Sequence, residues 1–114
     1  MASCTVNYNL KDAGYANFAN QTLTFTLLTA GAEGSGDYVV AASSVTSTSD
    51  ANGDGSVTLF VNDDSGIKSI YDVTLPNAEH IQFIIPTGTS TIELANIIVN
   101  NQPAGDAETQ QSTV

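Results

Sequence analysis

The chain has 114 residues, of which 41% are hydrophobic, and this length is typical of one domain that buries roughly two-thirds of its unfolded surface in a single core. The formal net charge is −10, because twelve carboxylates are opposed only by Lys11 and Lys68. Nucleic acids and anionic membranes bind basic side chains, so this balance argues against both as partners. The first residues lack the pattern of a secretory leader, and we expect folding in the cytoplasm without membrane insertion.

Apolar residues alternate with Thr, Ser and Asn in several short segments, which is the period of strands that bury one face. Such strands are predicted over residues 4–10, 22–27, 38–45, 56–61, 70–75 and 80–85. Residues 90–99 change period and predict a short strand that passes into one helical turn. Phe25 and Leu59 lie in the middle of the two clearest strands, and we expect both at the centre of the core.

Six to seven short strands separated by turns predict an all-β fold, a single antiparallel β-sandwich that ends in a short helical turn. Residues 1–100 form this predicted domain. Residues 30–37, rich in Gly and Ala, predict an exposed loop. Residues 101–114 have almost no apolar content and predict a flexible tail that orders only on a partner.

Few side chains are suited to catalysis, since the chain has one His, one Cys and no Arg. Cys4 falls on the apolar register of the first strand and is predicted to be a small core residue. His80 begins a strand beside Glu79 and is predicted to be a partly exposed surface histidine. The inventory therefore predicts a protein that is not an enzyme.

One segment carries possible metal ligands. Asp50, Asn52, Asp54 and Ser56 match the first half of an EF-hand calcium loop, with oxygen-bearing side chains at alternate positions. The second half does not match, because Val61 stands where a bidentate Glu closes such a loop. The other interpretation is a hairpin turn, in which residues 50–55 reverse the chain and Asp and Asn bond their own backbone. No cofactor is required by the sequence, and calcium stays open as a ligand.

The four tyrosines raise a separate possibility, because flat aromatic rings can stack on sugars. Tyr8 and Tyr71 lie on the apolar register of their strands and are predicted to be core residues. Tyr15 is expected to cover the core from a loop, together with Phe18. A calcium-assisted adhesion or glycan-binding module is the alternative function that these residues leave open.

The order of several motifs supports a resemblance. They occur at residues 20–27, 45–55, 71–76, 83–88 and 92–97. In this order they resemble the prealbumin-like or carboxypeptidase-regulatory-like β-sandwich modules of bacteriophage tail-fibre and other virion proteins. The resemblance covers residues from about 5 to 99 and carries no catalytic residues. It implies an immunoglobulin-like or prealbumin-like sandwich with a structural role in a virus particle.

These observations together predict a structural virion protein of a bacteriophage, in the tail or its fibres, with capsid decoration as the nearest variant. Such a protein is made in the host cytoplasm and assembled into the virion. Its partners are expected to be copies of itself, as a homo-oligomer, and other virion proteins. Ile84, an apolar residue on the predicted outer face of its strand, indicates a surface that a neighbouring subunit covers.

Overall fold

The computed structural model describes residues 3–32, 38–65 and 69–100, apart from the side chain of Asp64. The strands are β1 (Ser3–Asn9), β2 (Thr22–Leu27), β3 (Gly31–Ala32), β4 (Val39–Val40), β5 (Ser44–Thr48), β6 (Asp54–Phe60), β7 (Tyr71–Thr74), β8 (His80–Phe83) and β9 (Thr91–Glu93). One helix, α1 (Leu94–Asn100), follows β9 directly, and 3-10 turns occupy Asn62–Asp64 and Pro76–Ala78. The predicted tail, residues 101–114, lies outside the described residues.

Seven of these strands form two sheets that pack face to face. One sheet has the order β6-β1-β9 and the other the order β5-β2-β7-β8, while β3 and β4 form a small separate ribbon. The pairings are antiparallel except between β1 and β9, which run parallel. The predicted all-β sandwich with a short C-terminal helix is thus confirmed, and β2 is a central strand.

The core lies between the two sheets, because alternate side chains of each strand point inward. Phe25 is fully buried and Leu59 nearly so, as expected for the middle of the sandwich. Phe83 links the aromatic side chains of the four-stranded sheet, with its ring 6.5 Å from that of Phe25 and 5.4 Å from that of Tyr71. Ile97 of α1 is also fully buried. The helix therefore belongs to the same core.

The turn after β5 joins the two sheets. β5 pairs with β2, whereas β6 pairs with β1, so Asp50–Gly53 carries the chain from one layer to the other. Residues 50–55 were expected to reverse the chain as a hairpin. The reversal is present, but the flanking strands do not pair with each other, because each finds its partner elsewhere in the chain.

The predicted third strand is interrupted. Residues 38–45 were expected to be one strand, but β4 ends at Val40 and β5 begins at Ser44. Part of the predicted loop before it is a strand as well, since Gly31 pairs with Val40 and is buried against the Phe60 ring. Residues 33–37 of that loop lie outside the described residues. Ile84 follows the end of β8 and is half-buried.

Candidate functional site

The acidic turn is built around one oxygen atom of Asp50. Asp50 Oδ1 accepts hydrogen bonds from the backbone N–H groups of Asn52, at 2.8 Å, and Asp54, at 3.0 Å. The Asp50 N–H donates to the Asp54 carbonyl at 2.8 Å, and the Gly53 N–H donates to the Asp50 carbonyl at 3.0 Å. This carboxylate therefore stabilises the backbone of its own turn.

A second loop repeats the same arrangement. Asp12 Oδ1 accepts from the backbone N–H groups two and four residues ahead, those of Gly14 and Ala16, at 2.9 and 3.1 Å. The fourth residue of each loop has a left-handed backbone, Tyr15 with φ +67° and Gly53 with φ +83°. After Asp12, the alternate positions of this loop are Gly14, Ala16 and Phe18, which have no side-chain oxygen, so the geometry forms without metal-ligand spacing.

The remaining candidate calcium ligands already have partners or lie on a strand. Asp54 Oδ1 accepts a hydrogen bond from Asn9 Nδ2 at 2.5 Å, and the same amide donates to the Asn52 carbonyl at 3.2 Å. Ser56 lies on the outer face of β6, opposite Asn7. Among the described residues, no three His, Cys, Asp or Glu side chains gather as metal ligands. Calcium binding at Asp50, Asn52, Asp54 and Ser56 stays an open hypothesis.

His80 has a partner that its sequence neighbours do not reveal. Its Nδ1 lies 2.8 Å from Asp72 Oδ2 and 3.2 Å from Thr74 Oγ1. The His80 side chain is exposed, as predicted, while Asp72 is buried. The contact crosses diagonally from β8 to β7, since Asp72 is directly opposite Gln82. It links the outer faces of two neighbouring strands.

Cys4 and the four tyrosines divide between the core and the surface. Cys4, Tyr8 and Tyr71 are buried, as predicted. Burial raises the pKa of the Cys4 thiol. The expected position of Tyr15 is wrong, because 80% of this residue is exposed and its ring lies beneath Lys11, with Nζ 5.0 Å from the ring centre. Tyr38 is exposed too.

The strand β5 forms one edge of the four-stranded sheet, and its hydrogen bonds define which groups face outward. The Leu27 N–H donates to the Ser43 carbonyl at 2.8 Å, and the Ser49 N–H donates to the Gln21 carbonyl at 2.9 Å. Hydrogen-bonded residues alternate along an antiparallel pair, so odd-numbered residues of β5 turn their backbone groups toward β2. Ser44, Thr46 and Thr48 therefore direct N–H and C=O away from the sheet.

The chain segment that contains this edge is uncharged and partly apolar. Residues 38–49 contain no Asp, Glu, Lys, Arg or His, although the whole chain carries a net charge of −10. Within this segment Tyr38, Val39 and Val45 are exposed, by 65%, 81% and 44%. Leu28, also exposed, follows the residue that bonds to Ser43. We call residues 38–49 the neutral edge.

Two features, the uncharged segment and the contact of His80 with Asp72, have signals in the sequence. The absence of charge from residues 38–49 is visible without a structure. Pairing the two predicted strands on either side of Pro76 would bring Asp72 near His80. The outward direction of particular backbone groups has no sequence signal, because it depends on which residues of β2 and β5 face each other.

Comparison with known proteins adds no assignment: the sequence matches no protein-family model and no curated protein. Within the part of the chain that the structure describes, no helix has the length and apolar character needed to cross a membrane.

Proposed function

We propose that this chain is a non-catalytic structural module of a bacteriophage particle, which works by docking against other protein subunits. The observation that carries the docking role is the neutral edge. An edge strand without Lys, Pro or an inward-pointing charge is a ready template for another strand, and monomeric proteins usually protect such edges. β5 has none of these protections along Ser44–Thr48.

Exposed apolar side chains beside the edge support the same role. Tyr38 and Val39 precede β5 by six and five residues, and Leu28 directly follows β2, the strand with which β5 pairs. Contiguous apolar patches on a surface mark contact sites, and we propose that these three side chains contribute to one. The combination of an open edge and adjacent apolar side chains favours protein docking over a small-molecule site.

The particle is proposed from the resemblance of the strand and turn motifs to modules of tail-fibre and virion proteins. The tail or its fibres is the first proposed location, and capsid decoration is the nearest variant. The acidic composition fits this role, because carboxylates outside the neutral edge keep assembled particles apart and soluble. In this proposal the chain passes contacts between subunits and performs no reaction.

Particle composition tests the proposal directly. Particles of a phage that encodes the chain should be purified on a density gradient and analysed by quantitative mass spectrometry. We expect the chain to sediment with the particles in a fixed ratio to their other structural proteins. A chain found only in the soluble fraction would contradict the proposal.

A variant series adds a control for the surface used. Thr46→Glu places a charge at the centre of β5, within the neutral edge, whereas Thr58→Glu makes the same change on the exposed face of the other sheet. We expect Thr46→Glu to lower incorporation at least tenfold and Thr58→Glu to leave it near the parent level. Equal incorporation of both variants would remove the neutral edge from the proposed contact.

A further inference from the structure

We propose that the neutral edge binds a second copy of this chain, with the two β5 strands antiparallel and a two-fold axis between the Thr46 residues. This inference rests on the docking role proposed above and identifies the partner. It joins two four-stranded sheets into one continuous eight-stranded sheet. Three features of β5 support this pairing: the direction of its backbone groups, the symmetry of its register and the absence of charge along it.

The backbone groups of β5 are arranged for this pairing. Ser44, Thr46 and Thr48 turn N–H and C=O away from β2, as the bonds of Ser43 and Ser49 to the neighbouring strand require. Within the described part of the chain, β5 pairs only with β2. A strand with outward groups at alternate positions can exchange two hydrogen bonds with each residue directly opposite.

The register is self-complementary about Thr46. With Thr46 opposite its own copy, Ser44 lies opposite Thr48 of the second chain, and Thr48 lies opposite Ser44. All three are pairs of outward-facing residues, so about six hydrogen bonds form between the chains. Val45 then lies opposite Ser47 of the copy, which covers an apolar side chain that is 44% exposed in one chain. A two-fold axis requires this reciprocity, and β5 satisfies it.

The distribution of charge favours a second copy of the chain over a cationic protein as the partner at the neutral edge. Two chains of net charge −10 repel each other unless they meet where carboxylates are absent. The neutral edge provides such a surface along β5, and the adjoining outer face of β2 consists of Thr22, Thr24 and Thr26. A basic protein would instead be attracted to the carboxylates elsewhere on the chain. The neutral edge is therefore suited to docking against a molecule whose net charge is also negative.

Side-chain bonds prepare the outer face for this contact. Thr22 Oγ1 lies 3.2 Å from Thr48 Oγ1, and Thr26 Oγ1 lies 2.9 Å from Ser44 Oγ. These pairs satisfy hydroxyl groups within one chain on either side of Thr46. The Thr46 side chains then face each other across the two-fold axis, where directly opposed residues lie roughly 5 Å apart. Position 46 is consequently the most sensitive site for a charge.

A charge-complementation experiment tests the arrangement. The whole chain and the variants Thr46→Glu and Thr46→Lys should be studied by sedimentation velocity over a range from micromolar to millimolar protein. We expect the parent to approach twice the 11.8 kDa mass of one chain. Each variant alone should remain at the mass of one chain, because identical charges oppose each other across the axis. An equimolar mixture of the two should recover the doubled mass.

Controls separate this inference from the function on which it rests. Thr58→Glu and Thr46→Ser should sediment like the parent, and circular dichroism should show that every variant is folded. A parent chain that keeps the mass of one chain throughout, or a mixture that does not associate, overturns the second-copy inference. If the chain nevertheless enters particles and Thr46→Glu blocks entry, the edge binds another protein and the proposed function stands. A dimer that is absent from particles leaves the pairing intact and contradicts the proposed function.

Discussion

The hydroxyl of Tyr8, on β1, lies 2.7 Å from Ser47 Oγ, on β5 of the opposite sheet. Ser47 Oγ in turn donates to the Ser56 carbonyl of β6 at 3.1 Å. β5 and β6 belong to different sheets, so this chain of hydrogen bonds joins the two layers along one side of the sandwich. Gly55, opposite Tyr8, makes room for the ring, since a methyl group there would overlap it.

Removing the Tyr8 hydroxyl should weaken the link between the sheets. Tyr8→Phe is expected to lower the free energy of unfolding by about 1 kcal/mol, the net value of a typical hydrogen bond. Ser47→Ala should cost more, because the Ser56 carbonyl also loses its donor. A double-mutant cycle measured by urea unfolding should give a coupling energy of at least about 0.5 kcal/mol. Strictly additive effects would show that the bond contributes nothing in solution.

Asn62 should be the most sensitive polar residue of the fold. Its side chain is buried, where Nδ2 donates to the Ser69 carbonyl at 2.8 Å and Oδ1 accepts from the Ile85 N–H at 2.8 Å. Asn62→Ala leaves both backbone groups buried without this partner, and each such group costs about 1–3 kcal/mol. Thermal melting should fall by more than about 10 °C. Asn96→Ala, at an exposed position of α1, is the control and should melt near the parent.

Substitutions at the fourth residue of the two aspartate loops should have opposite effects on the stability of the fold. Tyr15 and Gly53 both have left-handed backbones, which cost a residue other than glycine about 1 kcal/mol or more. Tyr15→Gly should therefore be neutral or stabilising, despite the loss of the contact with Lys11. Gly53→Ala should destabilise by about 2 kcal/mol or more, because its methyl group would also overlap the Leu10 carbonyl. Chemical denaturation of both variants checks this contrast, and equal losses would refute it.

Calcium removal distinguishes the two interpretations of the acidic turn. Asp50→Asn retains an oxygen for the N–H groups of Asn52 and Asp54 but removes the charge that a metal needs. If Asp50 acts on the backbone alone, Asp50→Asn should melt near the parent and Asp50→Ala should melt about 5 °C lower. Chelator should then shift none of the three. A chelator-dependent shift in the parent that Asp50→Asn abolishes would establish a calcium site.

Alkaline pH should destabilise the fold through Tyr71. Burial raises the pKa of this phenol to about 12, although a hydrogen bond from the Phe60 N–H, at 3.0 Å, acts in the opposite direction. In the unfolded chain the pKa is about 10, so between pH 10 and 12 the unfolded state releases a proton that the folded state keeps. The free energy of unfolding therefore falls with rising pH, by at most about 1.4 kcal/mol per unit.

Tyr71→Phe supplies the comparison for that effect. This variant lacks the ionisable group, so its stability should decline less steeply than that of the parent over the same pH range. Urea unfolding at several pH values between 9 and 12 measures both slopes. Identical slopes would mean that Tyr71 ionises equally easily in the folded and unfolded states.

Local pattern determined the strands, the buried registers and the short C-terminal helix. Strand alternation is a property of the backbone, in which neighbouring side chains point to opposite faces, so the burial of Phe25 and Leu59 could be predicted without knowing any partner strand. The same reasoning placed Cys4 in the core. It did not place Tyr15, because the left-handed backbone that exposes this ring arises from hydrogen bonds to Asp12.

Only the tertiary structure decided which strands meet. The assignment of β5 and β6 to different sheets and the parallel pairing of β1 with β9 both depend on residues far apart in the chain. Pairing is chosen by the packing of whole faces, which no short pattern contains. The absence of charge from residues 38–49 is visible in the sequence. The outward direction of the Thr46 N–H and C=O groups, in contrast, follows from the register of β5 with β2. A docking edge requires both, because composition permits another strand to approach and register supplies the hydrogen bonds.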